Sequence, residues 1–213
     1  MIRVHHLSNS HSHVVLWLME ELALPYELVD HQRDPVTKLS PDSLRAIHPA
    51  AKAPAIEDHG LAMIESTGII LYILEAHGGG RLRPPADTPE AMMFFQWLTF
   101  IEGSAKGPLV HLFRASDDQA RAAAKQAMAV PIDLIEAALQ DRETIVPGLF
   151  TAADIQLTFF EELLEGLGVI GNWPNMHAHL LRMRRRDAYR RAEAKGGPVG
   201  LKQMFAEMGM SAA

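Results

Sequence analysis

Residues 8–13 read SNSHSH, three hydroxyls, one amide and two imidazoles set directly ahead of the apolar run VVLWL. A helix starting there begins with unsatisfied N–H groups and the positive end of its dipole. A hydroxyl in front of it therefore has two uses: to cap the helix by accepting from those N–H groups, or to donate to an anion held at the helix mouth. His11 and His13 read as surface residues. A second polar pair, Glu65-Ser66, stands ahead of the apolar run GIILYIL, where Ser66 reads as an N-cap and Glu65 as a solvated charge. Between them lies Lys52-Ala53-Pro54, a Pro step at the start of an apolar stretch.

The chain contains no cysteine. Disulfides, thiolate zinc sites, iron–sulfur clusters and a cysteine nucleophile are therefore excluded, no metal is expected, and any sulfur chemistry must use a thiol brought from outside.

These groups need elements to hold them. IRVHH at 2–6 and YELVD at 26–30 read as short strands, and the dense apolar pattern between them as a mostly buried helix from Ser12 to Ala23. Such a unit makes a right-handed crossover between parallel strands. Pro41 to His48 suits a short helix with Ser40 as its cap. Two apolar runs then flank Asp58-His59-Gly60 as a hairpin, and a helix from Ser66 stops at Gly78 to Gly80. The order βαβ, α, ββα is that of a thioredoxin-like domain, assigned to residues 1–78. After a Gly- and Pro-rich linker at 79–87, residues 88–213 carry helical patterns and no convincing strand, so the fold class is α/β followed by an all-helical second domain.

Within that second domain, Thr151 followed by Asp154 has the spacing of a capping box, which makes Asp154 a folding residue. Gly103 and Gly107-Pro108 interrupt a long helical pattern and predict a kink. The segment RMRRRDAYRR spreads its arginines around a helix and reads as a solvated end with local salt bridges.

At 213 residues, 48% hydrophobic and 22% charged, the chain has the make-up of a soluble globular protein able to bury a substantial core. A formal net charge of −6 argues against nucleic acid as a partner. No signal peptide pattern or long apolar run is present, so the expectation is a cytoplasmic protein with no membrane segment.

With these features in place, the chain resembles the cytosolic glutathione transferases over essentially its whole length. NSHSHVVLWLMEEL, YELVDHQRDP, IHPAAKAPAIED, MIESTGIILYIL and IEGSAKGPL are similar to a bacterial and fungal branch of that superfamily. Two positions depart from it: family members commonly have Arg where His11 stands and Gly in place of Ala51.

The resemblance implies that Ser10 takes the position of the catalytic hydroxyl, with Asn9 and Ser12 close enough to compete. The physical sense is clear, since a thiol with a pKa of about 8.5 is only a few per cent thiolate at pH 7. Lowering that pKa by about two units takes roughly 2.7 kcal/mol of preferential stabilisation of the anion, which a hydroxyl at a helix N-terminus helps to supply. The resemblance further implies a glutathione grip. Ala53, ahead of a cis Pro54, would pair its backbone with the cysteinyl part, Glu65 and Ser66 would take the γ-glutamyl end, and Lys52 would approach the glycyl carboxylate.

A pocket for a small hydrophobic electrophile would lie between domains, with Phe100, Glu102, Ser104, His111 and Phe113 as candidates, and the protein would be a homodimer. The implied reaction is conjugation of glutathione to the electrophile, or glutathione-dependent reduction of peroxides or disulfides. The alternative is a glutathione-binding or regulatory module of the same fold that does not activate the thiol.

Overall fold

The structure is a computed structural model that describes residues 1–34, 37 and 39–207. Backbone proximity divides it into two units, Met1–Arg81 with Arg184–Gly200 and a second unit from Leu82 to Met183 together with the helix that begins at Leu201.

The first unit is built on a four-stranded sheet in the order β2-β1-β3-β4, with β1 Ile2–Leu7, β2 Tyr26–His31, β3 Ala55–Asp58 and β4 Leu61–Ile64. β1 runs parallel to β2 and antiparallel to β3, and β3 and β4 form a hairpin. Its turn residues His59 and Gly60 both take positive φ, 49° and 79°, as a two-residue hairpin turn requires. Because β1 lies inside the sheet, successive residues Val4, His5, His6 and Leu7 are all buried, two on each face. The two histidines therefore enter opposite sides of the sheet.

Helix α1, Ser12–Glu21, connects β1 to β2 and is apolar all round, with Val14 to Met19 each at most 1% exposed. Helix α2, Asp42–Ile47, has Pro41 at its cap position where Ser40 was expected. Helix α3 spans Ser66–Ala76.

The sequence reading gave residues 184–200 to the helical domain, but α9, Asp187–Gly196, packs along α1 and groups with the first unit. Arg186 holds Glu21 at 2.6 Å and Arg191 holds Glu20 at 3.0 Å. Lys195 also reaches Glu20, and the Tyr189 ring meets Trp17 edge-on at 5.1 Å. The arginine-rich segment is thus less a solvated end than a fastening between two helices distant in sequence.

The second unit holds α4 Pro89–Phe100, α5 Lys106–Arg114, α6 Asp118–Ala138, α7 Ala152–Gly166, α8 Pro174–Met183 and α10 Leu201–Glu207. Between α4 and α5 the chain passes through a π-helical turn, Ile101–Ala105, at the place where Gly103 predicted an interruption. Helix α7 is buried from Ala152 to Leu164 and opens with the expected capping box of Thr151 and Asp154. Among the described residues no helix is long and apolar enough to cross a membrane.

Candidate active site

One end of the sheet gathers the polar groups that the sequence singled out. β1 and β3 pair with Val4 opposite Ile56, and β3 and β4 pair with Ala55 opposite Ile64. Continued by two residues, these registers place the exit of β1, the Ala53-Pro54 entry to β3 and the Glu65-Ser66 exit from β4 side by side. With strands about 4.8 Å apart, the distance from β1 to β4 is about 10 Å, close to the reach of three extended residues.

The exit of β1 is a loop pinned by three hydrogen bonds from two residues. Asn9 takes φ 53°, and its side-chain Oδ1 accepts from Gly200 N at 2.7 Å. Arg33, just beyond β2, donates from Nε to Ser8 O at 3.1 Å and from Nη2 to Asn9 O at 3.0 Å. The sequence gave Arg33 no role, because nothing in its local pattern distinguishes a clamp from a solvated cation. Its one legible clue was its place after β2, at the same end of the sheet.

The three candidate donors now differ in kind. The Asn9 amide oxygen is occupied by Gly200. Ser12 is wholly buried, with its Oγ accepting from Leu7 N at 3.0 Å and lying 3.0 Å from His6 Nδ1. Ser10 is half-buried, and its Oγ accepts from Ser12 N at 3.2 Å and sits 2.8 Å from Ser12 Oγ. Of the three, Ser10 is the one that is both only half-buried and in possession of a hydroxyl at the helix mouth.

No acidic residue stands in the first turn of α1, and its cap position, His11, supplies no side-chain cap. The mouth of α1 therefore presents the positive end of the helix dipole with no carboxylate in its first turn. His11 and His13, expected at the surface, are buried at 7% and 3% exposure. The reason is that α9 covers this side of α1, with the His13 ring 5.2 Å from that of Tyr189. Burial pushes His13 down to about 3, helped by repulsion from His6 and Arg184. Burial likewise holds His6 below the ordinary histidine range.

Midway along this 10 Å edge, at the entry to β3, the Ala53–Pro54 peptide is cis, as expected. Ser66 is the first residue of α3 rather than its cap. The cap position belongs to Glu65, which is exposed and sits at φ 74° and ψ 107°, a region that non-glycine residues rarely occupy. Ala51 also takes positive φ, 49°, which accounts for glycine at this position in the family it resembles. Lys52 is exposed beside it.

The five expected pocket residues, Phe100, Glu102, Ser104, His111 and Phe113, lie on α4, the π-helical turn and α5. A cavity of about 240 Å³ in the second unit is lined by Leu112, Phe113, Met128, Leu167, Val169 and Trp173, with Arg121 and Lys125 beside them. Of the five, only Phe113 lines this cavity. Glu102 pairs with Lys106 at 2.7 Å on the π-helical turn, and Ser104 and His111 are exposed. Phe100 packs edge-on against Trp97 at 5.7 Å. Among the described residues no group of three or more His, Asp or Glu side chains is placed to hold a metal ion.

Residues 5–81 match the family model described as the glutathione S-transferase N-terminal domain. The chain is 33% identical over 104 residues to glutathione S-transferase 3 of Schizosaccharomyces pombe, covering 49% of this chain and 42% of that protein. It is 32% identical over 116 residues to glutathione S-transferase 1 of Saccharomyces cerevisiae, covering 52% and 49%. The chain thus spans about half the length of the curated relatives it matches. The crystal structure of a glutathione S-transferase from Actinobacillus pleuropneumoniae superposes with a TM-score of 0.87 at 27% identity, over 95% of this chain and 96% of that one.

Proposed function

We propose, from the support these comparisons give to a place in the cytosolic glutathione transferase superfamily, that the chain is a glutathione transferase that binds the tripeptide along the sheet end described above. The observation that carries this reading is the alignment, on one edge, of a half-buried Ser10 at an anion-free helix mouth, the Ala53–Pro54 step and the strained Glu65 ahead of Ser66. In this reading the γ-glutamyl end lies at Glu65 and Ser66, the cysteinyl backbone beside Ala53, the glycyl carboxylate toward Lys52, and the sulfur at Ser10. The thiolate then adds to, or displaces a leaving group from, an apolar electrophile, and the same ionised sulfur serves for reduction of peroxides or disulfides. The Phe113-lined cavity, apolar and close to the lower size limit of small-molecule sites, is the second unit's candidate for the electrophile.

The test is the ultraviolet absorbance of bound glutathione as a function of pH. Ionisation well below the pH of the free thiol supports the proposal. Ser10→Ala should abolish that shift and lower kcat/KM on the order of 100-fold, the usual effect of removing one donor to a developing anion. A bound thiol that titrates like the free one would leave a binding module and remove the enzyme.

We extend the proposal to a homodimer. Met92 and Phe95 on α4 are 74% and 47% exposed, and Leu61 on β4 is 75% exposed, apolar side chains available to a second copy. Sedimentation at micromolar concentration should give a species of twice 23.6 kDa.

A further inference from the structure

Behind Ser10 a line of hydrogen-bonding groups runs inward and ends at a buried histidine. Ser10 Oγ lies 2.8 Å from Ser12 Oγ, which lies 3.0 Å from His6 Nδ1, and His6 Nε2 lies 2.8 Å from the Gly196 carbonyl. Its direction follows from valence. A carbonyl oxygen only accepts, so His6 Nε2 carries the proton, and the neutral ring favoured by burial leaves Nδ1 as a lone pair. Ser12 is the hydroxyl at that lone pair, so its single proton points to Nδ1, although the Leu7 carbonyl also lies 3.2 Å from it. Ser12 Oγ then accepts from Leu7 N and from Ser10, so Ser10's own proton points inward. What Ser10 presents outward is a lone pair.

A resting hydroxyl that faces the site with a lone pair cannot donate to a thiolate, but it can receive the proton of a thiol. We propose that Ser10, Ser12 and His6 form a proton relay in which His6 stores the proton released when glutathione ionises.

The thiol S–H bond breaks and its proton passes to Ser10 Oγ. Ser10's original proton passes to Ser12 Oγ, and Ser12's passes to His6 Nδ1. No electrons are transferred. The products are a thiolate, now facing the O–H of Ser10, and an imidazolium at His6 still donating to Gly196. The charge pair is neutral overall and the proton never enters solvent.

The surroundings of His6 limit its charging from one side and favour it from the other. Burial opposes a charge on His6, and a charged His6 depresses His13 on α1 and His31 on β2 in turn, whereas Asp30 on β2 and the Gly196 carbonyl favour it. A thiolate two hydroxyls away supplies the missing counter-charge, so His6 is neutral in the empty site and is charged only with the ligand. His6 acts through Ser12 and Ser10, which makes it a positioning residue rather than a catalytic one.

The inference rests on the proposed function, and proton release separates the two. Calorimetry of glutathione binding near neutral pH, repeated in buffers of different ionisation enthalpy, counts protons given to solvent, while absorbance counts thiolate formed. The relay requires thiolate with much less than one proton released. His6→Asn, which keeps an acceptor for Ser12 but is not a base, should release about one proton per thiolate and shift ionisation upward by about one unit. Ser12→Ala should do the same. S-methylglutathione, which has no thiol proton, serves as the folding control and should bind wild type and variants alike. Thiolate formation with about one proton released from wild type overturns the relay and leaves the transferase standing. Absence of thiolate overturns both.

Discussion

Helices α1 and α7 begin with the same parts and use them oppositely. Each follows a hydroxyl-bearing loop, and each has a buried histidine beneath its first turn, His6 at 1% exposure and His179 at 0%. At α7 the chain supplies its own anion. Asp154 accepts from Thr151 N at 2.8 Å and from Ile145 N at 2.7 Å, and reaches His179 Nε2 at 3.3 Å, while Glu161 lies 2.9 Å from Nδ1. Burial alone would depress His179, but these two carboxylates outweigh it and raise it to about 9. At α1 there is no carboxylate in the first turn, and the histidine below stays neutral. A helix start that contains its own anion is closed and structural; one that omits it can take an anion from a ligand.

The largest effect expected from breaking this contrast is at the closed start. Asp154→Ala leaves two backbone N–H groups and the buried Nε2–H of His179 without their acceptor, and should cost about 3–5 kcal/mol, read as a drop in the urea midpoint. A loss below about 1 kcal/mol would mean that the box is decorative and that α7 is held by packing alone.

The histidines themselves give opposite pH dependences. His179, raised in the folded state from an unfolded value of about 6.5, contributes fully below pH 6.5, and that contribution is lost as pH rises through about 9. The loss should amount to about 3 kcal/mol and be absent in His179→Gln. His13, pushed down to about 3 among His6, Arg184 and Tyr189, is a base that the unfolded chain protonates first. Its stability term therefore falls on acidification below pH 6.5, by about 2 kcal/mol at pH 5, and His13→Phe should flatten that slope. Unfolding followed at pH 5, 7 and 9 in the two variants separates these effects. Acid lability that survives His13→Phe unchanged would assign it elsewhere.

How much of this could be read beforehand follows the same division. The strands, α1 and the capping box were legible because apolar period and cap spacing are local signals, and Thr151-Asp154 carries its partner three residues away. The fastening of α9 on α1 was not, because Arg186 and Glu21 are 165 residues apart and only the fold brings them together. The same limit put His11 and His13 at the surface, since nothing near them in sequence announces Tyr189. Ser12 and Ser10 look alike in the string SNSHSH. They differ only through burial, which sends one inward to His6 and leaves the other at the mouth. The unusual backbone of Glu65 and Ala51 was invisible for a further reason, in that non-glycine residues at positive φ leave no compositional mark. The pocket candidates on α4, the π-helical turn and α5 rested on resemblance alone, and Phe113 among them lines the cavity of the second unit.

The smallest effect sharpens the contrast most, because it converts one helix start into the other. Ser10→Asp places a fixed carboxylate at the mouth of α1, where Ser12 N already finds an acceptor and no native anion competes. If the mouth is organised for negative charge, the helix dipole should reward this substitution by about 0.5–1 kcal/mol of stability at low salt, with Ser10→Asn as the neutral comparison. In the proposed function the same carboxylate takes the place of the sulfur, so thiolate absorbance should vanish while the protein becomes harder to unfold. Gain of stability with loss of ligand chemistry in one variant is the signature of a site kept empty for an anion from outside. Loss of stability by more than about 1 kcal/mol would instead mean that Ser10 serves α1 as an ordinary cap, and that the opening at this helix has no electrostatic purpose.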